Sequence, residues 1–176
     1  MKIMIAYSSM YGASAYYAEL LADELGITAK SLSNTDNIED ADLLIYFGGL
    51  YAGTINGLKK ATSHLPDDCM LILCTVGLAD PSKDKTRDEI MELSKKLLQG
   101  RTYRIFMLRG DMDYSRLTIK HRAMMWALIN FLKSKKNRTE EDEALIETYG
   151  GKLDFKNPDA IRPIVEFVRK TMKSRR

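Results

Sequence analysis

The feature that most limits how this chain can fold is a set of short segments that are apolar on consecutive residues. The runs IMIAY (residues 3–7), LLIYF (residues 43–47) and MLILC (residues 70–74) do not alternate apolar and polar side chains. A strand with one face in water alternates, so these runs indicate strands that helices cover on both faces.

Helical patterns fill the intervals between the strand-like segments. Strands are predicted at residues 2–7, 28–32, 41–47, 69–75 and 103–108, and helices at residues 13–25, 56–64, 83–98 and 158–172. Asn157 is suited to cap the last helix, with Pro158 at its first position. Alternation of this kind predicts an α/β fold in which a doubly wound, five-stranded parallel sheet forms the middle of three layers.

The segment between the fifth strand and the last helix, residues 111–156, is too long for a simple loop and is predicted to be a helical insert. At 100° per residue one face of its helix would carry the apolar residues that pack on the domain, while Trp126 lies nearly opposite Met124. Thr139 is a candidate N-cap for an acidic, solvated helix start at residues 140–143. The face predicted to pack consists of Leu117, Met124, Leu128, Phe131 and Leu132.

Charge is distributed unevenly along the chain. Residues 1–100 sum to −5 and residues 101–176 to +8, and residues 116–138 contain seven Lys and Arg but no Asp or Glu. Such a face suits an anionic partner, for which a membrane surface at residues 116–138 is one hypothesis and a solvated basic face the other. No nucleic-acid partner is expected, and an exposed Trp126 would also suit a homodimer contact.

Length and composition indicate one domain over residues 1–176, with 45% hydrophobic residues, as in globular proteins. Neither a signal peptide nor a membrane span is visible, so the expected location is the cytoplasm, or the inner face of the membrane if the insert binds there. Cys69 and Cys74 lie within one strand-like run, too far apart to bridge, and are predicted to be reduced and buried.

In a doubly wound sheet, ligands bind beyond the carboxyl ends of the strands. After the first predicted strand the chain reads SSMYGAS, with hydroxyls and one glycine but no Lys or Arg. Backbone amides and hydroxyls at a helix N-terminus can hold a phosphate without a cation. The alternative is a plain strand-to-helix turn with Ser14 as its cap.

The pattern Ser-x-x-Gly-x-Ser at Ser9, Gly12 and Ser14 resembles the phosphate loop of the flavodoxins, which bind FMN. The segments YFGGLYAGTINGLKK and MLRGDMDYSRLTIKHR are similar to those of menaquinone-dependent protoporphyrinogen dehydrogenases, which are flavodoxin-like. The resemblance implies the strand order 2-1-3-4-5. Ala13 stands where that family often has Asn, and Ser14 where it commonly has Thr.

The resemblance also implies which residues bind FMN. The first loop would hold the phosphate, the second would lie along the isoalloxazine edge, with Tyr51 able to stack, and the third would close the other side of the ring. The residues so implied are Ser9, Met10, Tyr11, Gly12, Ala13 and Ser14 in the first loop, Gly49, Leu50, Tyr51, Ala52 and Gly53 in the second, and Thr75, Val76, Gly77 and Leu78 in the third.

These observations favour an FMN-dependent oxidoreductase that passes electrons to a small-molecule or quinone acceptor, or that oxidises a porphyrinogen-like substrate. The alternative is a one-electron carrier like flavodoxin itself, although carriers are usually strongly acidic around the flavin. No catalytic residue is identified. No metal site is expected, since His64 and His121 lack ligand-spaced partners. A further cluster, Arg109, Asp111, Asp113, Tyr114 and Arg116, follows the fifth strand and suits either the substrate or structural ion pairs.

Overall fold

The computed structural model describes residues 1–32, 41–63 and 65–174, without the side chain of Glu141. In it the chain forms two compact units. One comprises Met1–Gly110 together with Lys156–Arg176, and the other comprises Asp111–Phe155.

The first unit is built on a parallel sheet. Its five parallel strands are β1 (Ile3–Ser8), β2 (Ala29–Ser31), β3 (Leu43–Tyr51), β5 (Met70–Gly77) and β6 (Tyr103–Arg109), and a short β4 (Thr54–Ile55) runs antiparallel to the end of β3. Across the sheet the order is β2-β1-β3-β5-β6. Counted over the parallel strands alone this is 2-1-3-4-5, so the predicted doubly wound topology is confirmed.

Helices cover both faces of this sheet because successive strand residues point to opposite sides. Ile5 and Ile45 pack with Tyr17 and Val168 in one apolar cluster, whereas Ala6, Leu44 and Leu58 belong to a second. The helices that cover the sheet are α1 (Ala13–Leu25), α2 (Leu58–Thr62), α3 (Asp84–Leu98) and α6 (Arg162–Ser174), which follows the second unit in the chain.

The helix boundaries follow local capping chemistry. Asn157 accepts a hydrogen bond from the amide of Asp159 at 3.0 Å, and the turn that it caps, Pro158–Ile161, is a 3-10 helix leading into α6. The helix predicted at residues 56–64 is shorter because Asn56 and Gly57 belong to the turn before α2. His64, at its predicted end, lies outside the described residues.

The second unit contains two helices and a pair of strands. The strands are β7 (Asp111–Asp113) and β8 (Lys152–Asp154), which pair antiparallel, and the helices are α4 (Ile119–Ser134) and α5 (Glu140–Glu147). The sequence pattern predicted the helices but not the strand pair. None of the helices in the described ranges combines the length and the apolar character needed to cross a membrane.

The packing face predicted for α4 is wrong in part. Leu117 and Leu132 are buried, but Met124, Leu128 and Phe131 are exposed, and Ile129 is buried instead. Leu117 precedes the helix, whose N-cap is Thr118. Because α4 is apolar on more than one side, hydrophobic content alone did not specify which side packs. Trp126 is exposed, as predicted.

The start of α5 confirms the predicted N-cap but not its solvation. Thr139 and Asp142 form a reciprocal capping box, with the Thr139 hydroxyl accepting from the Asp142 amide at 3.1 Å. The Asp142 carboxylate also accepts from Lys135 at 3.1 Å and is buried. Asp142, one residue of the acidic run, therefore stabilises the second unit instead of lying in solvent.

Candidate functional site

Three loops of the first unit meet at the carboxyl ends of β1, β3 and β5. The rings of Tyr11, after β1, and Tyr51, at the end of β3, make an edge contact with centroids 6.0 Å apart. A Cβ atom added at Gly77, the last residue of β5, would lie 2.9 Å from Cδ1 of Leu50. The topology thus brings together the three loops that the sequence singled out.

The first of these loops, residues 9–12, connects β1 to α1. Gly12 is the N-cap residue of α1, with φ 110°, and no side chain caps the helix there. The Gly12 amide donates to Oγ of Ser9 at 3.0 Å. Ser14 lies inside the first turn and is 3% exposed, so it is not the cap that a plain strand-to-helix turn would use.

Open space lies beside the glycine of this loop. Added Cβ atoms at Gly12 and at Gly53 of the second loop would have no neighbour within 4 Å. Met10, two residues before Gly12, is exposed. Ala13 lies close to Gly110, which follows β6, because a Cβ added at Gly110 would lie 3.2 Å from Cβ of Ala13. Beside the uncapped start of α1 there is therefore room for an anion at the positive end of the helix.

The second loop is a tight β-hairpin, which the glycine pattern did not reveal. Residues Ala52 (φ 44°) and Gly53 (φ 74°) both adopt the left-handed region between β3 and β4. Positive φ at both central positions is typical of type I′ turns, where Asn-Gly is favoured and alanine is strained. The ring of Tyr51 lies over Gly49, since a Cβ there would meet its Cε2 at 2.5 Å.

The third loop begins with the last residues of β5. Thr75, Val76 and Gly77 are strand residues, and Leu78 follows them. The Thr75 hydroxyl is buried, its residue being 1% exposed, and it has no hydrogen-bond partner among the described residues. It is therefore a polar group at this edge of the sheet that the described protein atoms leave unsatisfied.

Arg109, at the end of β6, holds the third loop in place. Its Nε and Nη2 both donate to the carbonyl oxygen of Leu78, at 3.2 and 3.0 Å. The Arg109 carbonyl in turn accepts from the hydroxyl of Tyr17 at 2.7 Å, and that hydroxyl accepts from the Asn157 amide at 2.9 Å. A buried tyrosine of α1 thus fixes the end of β6 beneath the site.

A second buried tyrosine supports the second loop. The hydroxyl of Tyr46, in β3, donates to the carbonyl oxygen of Asn56 at 2.6 Å. Burial raises the pKa of Tyr46 to about 12, so it stays a neutral donor. Sequence reasoning did not identify Tyr17 or Tyr46, although a tyrosine inside an apolar strand or helix face signals a hydroxyl that needs a buried partner.

Charges are few around the three loops. Residues 8–14 and 48–57 contain no Asp, Glu, Lys or Arg, and residues 75–80 contain Asp80 alone. Hydrogen bonds from the backbone and side chain of Ser82 lower the pKa of Asp80, so it is ionised. The positive charge of Arg109, which contacts Leu78, balances the negative charge of Asp80 at the three loops.

The remaining candidates are divided between the two units. Arg109 belongs to the first unit, whereas Asp111, Asp113, Tyr114 and Arg116 belong to the second. Asp113 caps the following turn and pairs with Lys152 at 3.0 Å, which favours a structural role for it. No group of three or more His, Cys, Asp or Glu side chains in the described part of the chain could hold a metal ion.

Comparison with known proteins identifies a family model. The model of the flavodoxin domain matches residues 4–140. No curated protein matches the chain.

Solved structures with some similarity include three flavodoxin-type proteins. Oxidised flavodoxin 2 from Bacillus cereus is 16% identical, with 62% of this chain and 84% of that chain covered and a TM-score of 0.47. The flavodoxin, WrbA-like protein from Agrobacterium tumefaciens is 14% identical over 68% of this chain and 86% of that chain, with a TM-score of 0.46. A cysteine-to-serine mutant of flavodoxin from Pseudomonas aeruginosa is 20% identical over 74% of this chain and 96% of that chain, with a TM-score of 0.43.

Proposed function

This chain belongs to the flavodoxin-domain family and its cofactor is FMN, and from that premise we propose that it is an oxidoreductase with a substrate of its own. Bound FMN supplies the redox chemistry, and the protein supplies position and electrostatics. The proposed acceptor is a quinone or another small molecule, and a porphyrinogen-like compound is the proposed substrate for oxidation.

The residues at the carboxyl edge of the sheet fit this cofactor. A phosphate suits the open space beside Gly12 and the uncapped amides of α1, because those amides can donate hydrogen bonds without a cationic side chain. Tyr11 and Tyr51 offer aromatic surface beside it. The unsatisfied hydroxyl of Thr75 adds a donor at the same edge.

The observation that carries the choice of an enzyme over a carrier is the balanced charge of the three loops. Full reduction of a flavin adds negative charge, which surrounding carboxylates would disfavour. Here the one carboxylate, Asp80, is offset by Arg109, whose guanidinium lies against the carbonyl of Leu78. This environment supports transfer of two electrons in close succession, as reduction of a quinone requires.

Similarity of residues 46–60 and 107–122 to the menaquinone-dependent protoporphyrinogen dehydrogenases supports the proposed substrates. In this proposal the backbone and hydroxyls of residues 9–14 hold the phosphate, while residues 49–53 and 75–78 border the ring. No side chain of the first unit is assigned as a general base.

The first experiment tests cofactor binding by the site. Titration of the purified protein with FMN, followed by flavin absorbance and fluorescence, is expected to show a stoichiometric complex. Gly12→Asp should abolish it because a carboxylate enters the phosphate cradle, whereas Gly12→Ala, which adds backbone strain without charge, should weaken it about tenfold. Equal affinity of wild type and G12D would contradict the assignment of the first loop.

The second experiment separates enzyme from carrier. Potentiometric titration of the FMN complex is expected to show two one-electron couples that lie close together, with reoxidation accelerated by a soluble quinone. Widely separated couples, with no acceleration of flavin reoxidation by quinones and no reduction of the oxidised flavin by porphyrinogens, would instead establish a carrier.

A further inference from the structure

The helix α4 presents an unusually wide apolar face to solvent. Ile119 is 89% exposed, and Trp126 and Phe131 are each 61% exposed. At 100° per residue, the exposed apolar positions span an arc of roughly 200°. The apolar residues of this arc, which we call the α4 face, are Ile119, Ala123, Met124, Trp126, Ala127, Leu128 and Phe131. The exposed polar residues Lys120, Asn130 and Ser134 fall within the same arc.

The opposite side of the helix is the one that packs. Ile129 and Leu132 are buried there, and His121 and Met125 are half-buried at helical spacing from them. The α4 face is therefore a second, mainly apolar surface of the helix, separate from the side that packs. Soluble proteins rarely expose contiguous apolar surface of this kind without a partner.

Basic groups surround the α4 face. Lys135 and Arg138 pair with Asp142 and Glu143 of α5, at 3.1 and 3.4 Å. The other basic residues of 116–138 have no ion pair within the described ranges, and these are Arg116, Lys120, Arg122, Lys133 and Lys136. Arg122 and Lys133 flank the face on the side of Trp126.

We propose that the α4 face is a docking surface for an anionic lipid bilayer, with the helix lying in the interface. Residues 116–138 carry positive charge and no carboxylate, which complements anionic headgroups. An exposed tryptophan beside an apolar arc suits the boundary between headgroups and acyl chains. A second copy is a poorer partner, because two α4 faces in contact would bring the same uncompensated cations together. This inference does not depend on FMN binding.

Trp126 allows a direct measurement because it is the one tryptophan of the chain. Addition of vesicles of phosphatidylcholine with phosphatidylglycerol to the purified protein is expected to shift the emission of Trp126 to the blue. The protein should float with these vesicles, and flotation should weaken at high salt. Vesicles of phosphatidylcholine alone should bind weakly.

Two paired sets of variants locate the surface. Ile119→Ser with Phe131→Ser keeps the tryptophan and should lower partitioning at least tenfold, whereas Met91→Ser with Met172→Ser, at exposed positions of α3 and α6, should not change it. Lys133→Gln with Lys136→Gln should lower partitioning about fivefold for each charge, whereas Lys95→Gln with Lys96→Gln on α3 should have little effect. Circular dichroism and FMN titration check that each variant is folded.

Three outcomes would overturn the proposal. The first is a wild-type protein that binds neither kind of vesicle. The second is equal loss of binding in the test and control variants. The third is a dimer that the I119S/F131S pair dissociates while vesicles stay unbound, which would assign the face to a second copy. Because FMN titration is read separately, failure here leaves the proposed function untouched.

Discussion

Two residues with a positive φ, Gly12 and Ala52, determine the shape of the candidate site. Gly12, with φ 110°, turns the chain from β1 into α1, and a Cβ added there would have no neighbour within 4 Å. Ala52, with φ 44°, turns β3 back into β4 at a position where glycine or asparagine is preferred. Strain of this kind concentrates at functional sites, where the surrounding structure maintains it.

At Ala52 the strain can be measured. Ala52→Gly should raise the free energy of unfolding by about 1 kcal/mol, because glycine adopts a positive φ without a steric cost. Urea denaturation followed by circular dichroism measures the change. As a control, Ala15→Gly in α1 should lower the free energy of unfolding by about 1 kcal/mol. If both substitutions destabilise the protein equally, Ala52 is not strained.

At the level of elements, capping chemistry accounts for the join between α4 and α5. Asp142 accepts hydrogen bonds from the Thr139 amide at 3.0 Å and from Lys135 at 3.1 Å. The hydrogen bond from the Thr139 backbone, followed by Lys135, lowers the pKa of Asp142. A residue that the charge pattern placed on a solvated helix start therefore connects two helices.

Asp142 should make the second unit sensitive to acid. Because its pKa is lower in the folded state than in the unfolded chain, its contribution is present above about pH 4 and is lost as the pH falls through the lowered value. Asp142→Asn should thus be less stable than wild type at pH 7, and the difference should vanish at low pH. Thermal unfolding across pH measures this, with Glu140→Gln as the control at the same helix start. A difference that does not change with pH would show that the charge is irrelevant.

For the whole molecule, the centre of the sheet is the most protected region. Cys74 lies in β5 between β3 and β6, is wholly buried, and has a pKa raised by that burial. Cys69 is also buried and unbridged. The two thiols are therefore free, as the sequence predicted.

Thiol labelling should consequently report global unfolding. In Cys69→Ser, a thiol reagent is expected to modify Cys74 only as fast as the whole sheet opens, since a buried thiol with a raised pKa forms little thiolate. Labelling should accelerate in proportion to the unfolded fraction as urea is added. Rapid labelling of the native protein would mean that β5 opens locally.

Much of the fold follows from the sequence by itself, because periodicity and capping are properties of neighbouring residues. Apolar runs identified the five parallel strands, which the structure has within a few residues, but not β4, β7 or β8. The helix predicted at residues 13–25 has those bounds. Asn157 and Thr139 are the predicted caps. The pattern Ser-x-x-Gly-x-Ser likewise identified the loop between β1 and α1, because the local backbone of such a turn favours glycine and hydroxyl side chains.

Only the tertiary structure decided what depends on residues distant in sequence. The contact of Arg109 with Leu78 and the hydrogen bonds of Tyr17 with Arg109 and Asn157 each join segments whose approach no local pattern encodes. The burial of Asp142 was likewise not evident from its acidic neighbours. The packing side of α4 belongs here as well, because a helix that is apolar on more than one side does not specify which side is buried. Neighbouring residues determine which elements form, and the shape of the surrounding surfaces determines which of their faces meet.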